Sequence, residues 1–269
     1  NIHRIDDPVS VNAHHNSCGT DMNVGFNETP VPQLMVFPCS MDVVEGEPVP
    51  YTSWEDAILL QEDICIIPCA CRAASDTLGT RTPGCEERFG KETCIFMGDP
   101  GRFMIDHGYG RQVTPEECVE IVKENMDKGL VPEMIWTKTQ EIMCQCCLCD
   151  CGVMGAYHAY GCEGEIMDYC SPYNLKYDAD ACIGCGACVE RCPMGAITID
   201  DDGKCVMDHQ CIRCGQCAYI CPAEARKLTA KPANEIRLPA DDWKAKELQK
   251  ARRRMLQGLI HDFDPADVK

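Results

Sequence analysis

The sequence predicts an α+β chain in four parts. These are an extended arm over 1–50, a small cysteine-rich α/β domain over 51–174, a duplicated cysteine module over 175–229 and a basic helical tail over 230–269. Three observations carry this. One four-cysteine spacing occurs twice near the C-terminal end, helix caps and strand-like alternation precede it, and the charge changes sign beyond residue 225. With 269 residues, 24 of them cysteine, the chain is too long for the module alone, and its cysteine load makes metal or disulfide chemistry the first question.

The arm holds Pro8, Pro30, Pro32, Pro38, Pro48 and Pro50 with little periodicity, as a segment wrapping its own domain or a partner would. His14, His15 and Cys18 lie close together there and read first as solvated loop residues. In the second part, Ser53 caps a short helix with Ala57, Ile58 and Leu60 turned inward, and Ile64–Ile67 reads as a strand. Thr114-Pro115-Glu116-Glu117 is a capping box with proline at the first helical position. That helix is expected to reach about Lys128 and stop at Gly129. Its apolar face is Cys118, Ile121, Val122 and Met126, which makes Cys118 a core residue rather than a ligand. Met134–Thr137 is the last strand expected there. No phosphate-cradling glycine loop occurs, so a flavin or nucleotide site is unsupported.

The tail from Asp241 to Ile260 reads as an amphipathic helix. Leu248, Ala251, Met255 and Leu259 form its stripe, and Lys244, Lys246, Lys250, Arg252, Arg253 and Arg254 fill the rest. The net charge is −18, which excludes a phosphate-binding surface as the chain's main business. Residues 226–254 nevertheless carry ten Lys or Arg against four Asp or Glu, a face suited to an acidic partner. No apolar run approaches the roughly 18 residues of a membrane span, and no leader signal stands at the start, so a cytoplasmic location is expected.

The strongest signal is Cys182-Ile-Gly-Cys185-Gly-Ala-Cys188-Val-Glu-Arg-Cys192-Pro193, repeated 29 residues on as Cys211-Ile-Arg-Cys214-Gly-Gln-Cys217-Ala-Tyr-Ile-Cys221-Pro222. Three thiolates two residues apart fit a loop wrapped around one cubane, and the fourth reaches the other cluster. The expected ligand sets are Cys182, Cys185, Cys188 and Cys221 for one [4Fe–4S] cluster, and Cys211, Cys214, Cys217 and Cys192 for the other. Gly184, Gly186 and Gly215 allow positive φ around them, and Ile183 and Ile212 are expected to keep water off the clusters. Ile197–Ile199, Asp201-Asp202-Gly203 and Lys204–Met207 read as a hairpin between the repeats. Zinc ribbons also use paired cysteines but explain neither the third thiol nor the two Cys-Pro pairs. This stretch, about 175–229, resembles the bacterial two-cluster ferredoxin fold.

Ten further cysteines form two groups. One is Cys65, Cys69, Cys71, Cys85 and Cys94, beginning in an Ile-Pro-Cys69-Ala-Cys71-Arg72 segment. The other is the run Cys144-Gln-Cys146-Cys147-Leu-Cys149-Asp-Cys151. If extended, the run puts Cys144 and Cys146 on one face and Cys147, Cys149 and Cys151 on the other. A strand would then feed two sites, or one site and a core; a coiled loop would gather most thiols around one metal. Free buried thiols, a structural zinc, and a third [4Fe–4S] cluster with room for a fourth all remain open. The ligands expected for an extra cluster are Cys69, Cys71 and Cys94 with one or more of Cys144, Cys146 and Cys147. Arg72 either donates to such a cluster or forms a surface ion pair. His158 reads as a loop or interface residue, and Cys39, Cys162, Cys170 and Cys205 have no assigning spacing.

Together, the PCxCR and CxCCxC motifs ahead of the module resemble a little-characterised group of anaerobic iron–sulfur subunits, over about 65–229. The run here ends Cys149-Asp150-Cys151, where that group has more consecutive cysteines. The resemblance implies an electron-transfer subunit of a hetero-oligomeric oxidoreductase, relaying single electrons between a partner catalytic subunit and a second redox carrier. An upstream cluster with an open iron that acts on substrate is the enzymatic alternative. A zinc-stapled module that docks the ferredoxin part is the structural one.

Overall fold

A computed structural model of the chain describes residues 34–135, 137–160, 171–208, 210–236 and 238–256. The elements run β1 Leu34–Val36, β2 Val44–Glu45, α1 Trp54–Leu59, β3 Ile64–Pro68, α2 Ala70–Leu78, α3 Cys85–Phe89, β4 Glu92–Phe96, α4 Gly98–Asp106, β5 Arg111–Val113, α5 Pro115–Asp127, β6 Val131–Ile135 and β7 Ile142–Cys146. After these come α6 Gly152–Tyr160, β8 Tyr173–Tyr177, α7 Ala187–Arg191, β9 Ile197–Ile199, β10 Cys205–Met207, α8 Gln216–Tyr219, β11 Arg226–Ala230 and α9 Trp243–Leu256.

Six strands form one sheet in the order β1-β6-β7-β4-β3-β5, and every pairing in it is antiparallel. The upstream part mixes helices and strands as expected, in a fully antiparallel sheet where β6 and β7 are joined directly and helices connect β3 to β4 and β5 to β6. One sheet face carries Ile64, Ile66, Ile95, Met134 and Met143, packed with α1 and α5 in a core that includes Trp54, Ile58, Cys118 and Val122. Because side chains alternate along a strand, the opposite face of β4 and β7 presents Cys94, Cys144 and Cys146. Cys94 and Cys144 stand directly opposite each other, and Cys144 stands opposite Glu133.

Helix α5 begins at the expected cap, with Thr114 Oγ1 accepting from the Glu117 N–H at 3.1 Å, and Cys118 is buried in the core. Ser53 likewise caps α1, but Leu60 is its C-cap and 83% exposed rather than inward. The last expected strand lies earlier, at Val131–Ile135, in register with β7. Within the arm, residues 1–33 (His14, His15 and Cys18 among them) lie outside the described residues. Leu34–Val36 forms an edge strand against β6, and Val44–Glu45 adds to β11. The tail helix is described over Trp243–Leu256, where Lys246 is buried with its Nζ 4.9 Å from the Trp243 ring instead of lying on the solvated face.

The C-terminal cysteine module is clamped to the end of α5. Arg191 donates to the Met126 and Asp127 carbonyls at 2.6 and 2.7 Å, and Gln216 donates to Met126 and Leu130 at 3.2 and 2.7 Å. A cation and an amide there satisfy carbonyls that a helix end leaves without partners. The module and the sheet domain are thus joined by hydrogen bonds as well as by packing.

Candidate metal centres

Each cysteine repeat is a loop followed by one helical turn, and the loop glycines set the direction. Gly186 and Gly215 cap α7 and α8 with φ of 76° and 81°, a region costly for residues with a Cβ. The short helices then aim Cys188 and Cys217 back toward the loops. Two hollows result, each of about 330 Å³ counting the solvent space at its mouth. Cys182, Cys185, Cys188 and Cys221 line the first; Cys192, Cys211, Cys214 and Cys217 line the second. The fourth cysteine of each repeat thus lines the pocket of the other repeat. Four thiols around each pocket fit the all-cysteine ligation of a [4Fe–4S] cluster.

The two pockets differ in their exposure. Ile212 covers the second pocket and is 1% exposed, whereas Ile183 at the first is 68% exposed. Burial pushes Cys217 up to about 12 and raises Cys214 well above its ordinary value. Backbone N–H groups of Ala196 and Arg213 donate to Cys192 and Cys211 at 3.3 and 3.4 Å. Each pocket also has a fifth cysteine nearby that spacing does not indicate. Cys205 Sγ lies 3.4 Å from Cys188 Sγ, and the Cys39 N–H donates to the Cys214 carbonyl at 2.9 Å.

Residues 174–222 match the family model of the 4Fe–4S dicluster domain. A probable ferredoxin of Methanosarcina thermophila is 48% identical over 33 residues, 12% of this chain and 57% of that protein. A ferredoxin of Pyrococcus woesei is 79% identical over 19 residues, 7% of this chain and 90% of that sequence. The chain belongs, through this segment, to the ferredoxin-type 4Fe–4S proteins. It spans 57% of the length of the Methanosarcina relative, and no solved structure gives a significant match. Among the described residues no helix is long and apolar enough to cross a membrane.

Upstream of the ferredoxin domain the thiols divide into two sets. Cys69 caps α2 at the end of β3 and Cys71 lies in its first turn, so the Pro-Cys-x-Cys-Arg segment is a strand-to-helix junction. Cys69 interacts electrostatically with Cys71 and Cys94, Cys94 with Cys144, Cys144 with Cys146, and Cys151 with both Cys146 and Cys71, so the six thiols act on one another as a ring. The contacts with Cys71 and Cys94 pull Cys69 down to about 2, while their contacts with neighbouring thiols push Cys94 and Cys71 up. The ring cannot carry six thiolates without a counter-charge, the electrostatic condition a metal centre relieves.

Cys147 is turned away from the ring, toward Cys85 and Cys149. Its Sγ lies 3.8 Å from that of Cys85 and accepts from Arg72 Nη2 at 3.3 Å. Hydrogen bonding from Cys149 and the Arg72 charge bring Cys147 down to about 5 despite its burial, whereas burial first, then Asp150, pushes Cys85 up to about 11. Arg72 is only 2% exposed, so it is no surface ion-pair residue; it also donates to Thr93 and to the Gln145 carbonyl. It stands between the two thiol sets, its charge felt by Cys69 as well as Cys147. Cys65 is buried in β3 outside both sets, and Cys162 and Cys170 lie outside the described residues.

Proposed function

We propose that the chain is an iron–sulfur electron-transfer subunit of a larger anaerobic oxidoreductase, serving a partner catalytic subunit and a second redox carrier. In this reading Cys182, Cys185, Cys188 and Cys221 hold one [4Fe–4S] cluster and Cys211, Cys214, Cys217 and Cys192 another. Cys69, Cys71, Cys94, Cys144 and Cys146, with Cys151, supply the ligands of a third. Such clusters supply one-electron oxidation and reduction when bound.

One observation carries the reading: the three sites share continuous apolar packing. Cys146 and Cys151 of the ring pack in one cluster with Met154, Tyr157, Met194, Ile212 and Cys214, and Cys144, Cys192 and Cys211 lie against it. A second cluster, of Cys188, Ile197, Cys205 and Cys217, joins the two ferredoxin pockets. Those side chains exclude water between neighbouring sites and hold them in fixed relation. The exposed rim at Ile183 and Cys185 offers one docking end, and the ring, half-buried at Cys69, Cys71, Cys94 and Cys144, lies at the other. The ring's six thiols exceed the four a cluster needs, so nothing in it calls for the open iron that a substrate-binding centre requires.

A reductive titration of the anaerobically purified full chain, followed by electron paramagnetic resonance, tests this reading. It is expected to take up three electrons, and a Cys69→Ala/Cys94→Ala/Cys144→Ala chain, left with three ring thiols, is expected to take up two with the ferredoxin-domain signals unchanged. Uptake of two electrons by the unaltered chain, or three by the triple variant, overturns the third site.

A further inference from the structure

We infer that Cys85, Cys147, Cys149 and Asp150 form a separate site for a single tetrahedral zinc ion that staples the turn after β7 to the start of α3. The three sulfur atoms all lie within 4.8 Å of one another. Four ligands set tetrahedrally at the usual zinc–sulfur distance of about 2.3 Å stand about 3.8 Å apart. The Cys85–Cys147 separation is 3.8 Å. That separation suits one ion.

Asp150 lies outside the set of atoms within 4.8 Å of one another and would turn in as the fourth ligand, a role that its burial supports independently. Asp150 is buried, its side chain only 1% exposed, and its Oδ2 makes no hydrogen bond among the described residues. A carboxylate rarely stays buried without partners. Its cationic neighbour is Arg81, with Nε 3.7 Å from Oδ2, and Arg81 directs Nη1 to Asp76 instead, at 2.9 and 3.0 Å. The Asp150 charge acts on the Cys85 thiol and, after burial, helps to raise it. A metal ion here would give Asp150 the ligand it lacks.

The surroundings fit a closed structural site. Three thiolates, a carboxylate and a divalent ion carry a net charge of −2, which Arg72 at Cys147 and Arg81 at Asp150 neutralise. Thr82 Oγ1 donates to the Cys149 carbonyl at 3.0 Å, and the Cys85 N–H donates to the Thr82 carbonyl at 3.1 Å. The two loops are thus already drawn together. Cys149 is exposed and provides the way in for the ion, and four protein donors leave no position for substrate. The site lies on the far side of Arg72 from the six-thiol ring, so it stands whether or not the ring holds a cluster.

The test is zinc and iron per chain in the full-length protein, purified without oxygen from zinc-supplied medium, beside Cys149→Ala and Asp150→Asn. One zinc per chain is expected in the unaltered protein. Both variants should keep their iron, and zinc affinity, read by competition with a chelator, should fall at least tenfold. Cadmium loaded in place of zinc should show the ultraviolet thiolate charge-transfer absorption of three sulfur ligands, reduced by one in Cys149→Ala. This reading needs only the unaltered fold and a loop-surface substitution. An unaltered chain with no zinc, variants that bind zinc as tightly as the parent, or iron lost together with zinc would each overturn the site. Iron content separately reports on the electron-transfer reading.

Discussion

Gly186 and Gly215 occupy the same place in the two cysteine repeats, with nearly the same φ, so replacing each with alanine separates backbone strain from space. Holding alanine in the left-handed region costs about 1–2 kcal/mol. At Gly186 the new Cβ would meet only Ile199 Cδ1 at 3.6 Å, an ordinary contact. At Gly215 it would stand 3.1 Å from both Leu228 Cδ1 and Val43 Cγ2 and 3.5 Å from Cys39 Sγ. Leu228 and Val43 are buried in a common cluster and cannot both withdraw, which adds an overpacking cost of about 1–3 kcal/mol. Gly186→Ala is then expected to cost about 1–2 kcal/mol and Gly215→Ala about 2–5 kcal/mol. Amide hydrogen exchange, followed by mass spectrometry on the anaerobic full chain, reads local opening around each loop. The Gly215→Ala peptide over 211–221 should exchange at least about fivefold faster, relative to its parent, than the Gly186→Ala peptide over 182–192. Equal acceleration, or a larger effect at Gly186, would refute the reasoning that packing behind the second pocket is what distinguishes the repeats.

Three further outcomes follow from particular contacts. Arg72→Met leaves the Cys147 side of the thiol array without its buried cation and should destabilise the fold by about 3–5 kcal/mol; urea unfolding under anaerobic conditions measures it. Arg191→Met removes the charged donor from the Met126 and Asp127 carbonyls, with an expected loss of about 2 kcal/mol and faster exchange confined at first to 126–130 and α7. Cys118, which burial pushes up to about 12 from an ordinary 9.0, is favoured as the neutral thiol in the fold. Its contribution is complete below pH 9, falls as pH rises toward 12, and amounts to about 4 kcal/mol at most. Cys118→Val should flatten that alkaline decline, measured by thermal unfolding across pH 8 to 11.

What the sequence disclosed follows from how local each feature is. The ferredoxin cysteines were legible because each repeat wraps its pocket within one loop and one helical turn, and only the fourth cysteine crosses over. Thr114, Pro115 and Gly129 marked α5 for the same reason, since caps act within four residues. The fully antiparallel sheet was not legible, because its neighbours are set by pairings such as β1 with β6 that join residues about a hundred positions apart. The upstream thiols suffered most from this. Parity separated Cys144 and Cys146 from Cys147 and Cys149, but Cys151 returns to the Cys146 side because the chain turns before α6. Cys85 meets Cys147 only through a cluster with Phe89 and Leu130, and Cys39, in a bend after β1, and Cys205, in β10, come near the ferredoxin cysteines from segments that carry no motif. The neighbouring Cys149-Asp150-Cys151 departure from consecutive cysteines was the one local hint that a carboxylate belonged to a site. Lys246 and Leu60 show the converse: periodicity assigned each a face, and tertiary packing around Trp243 and the end of α1 reversed it.

Three [4Fe–4S] clusters in one apolar body, two in the ferredoxin domain and one in the six-thiol ring, are the central claim made for this chain. Iron and acid-labile sulfide per chain, determined on anaerobically purified full-length protein, test it most directly. Twelve of each are expected. Eight of each would contradict the claim, leaving the ring without a cluster and the upstream sheet without a part in electron transfer.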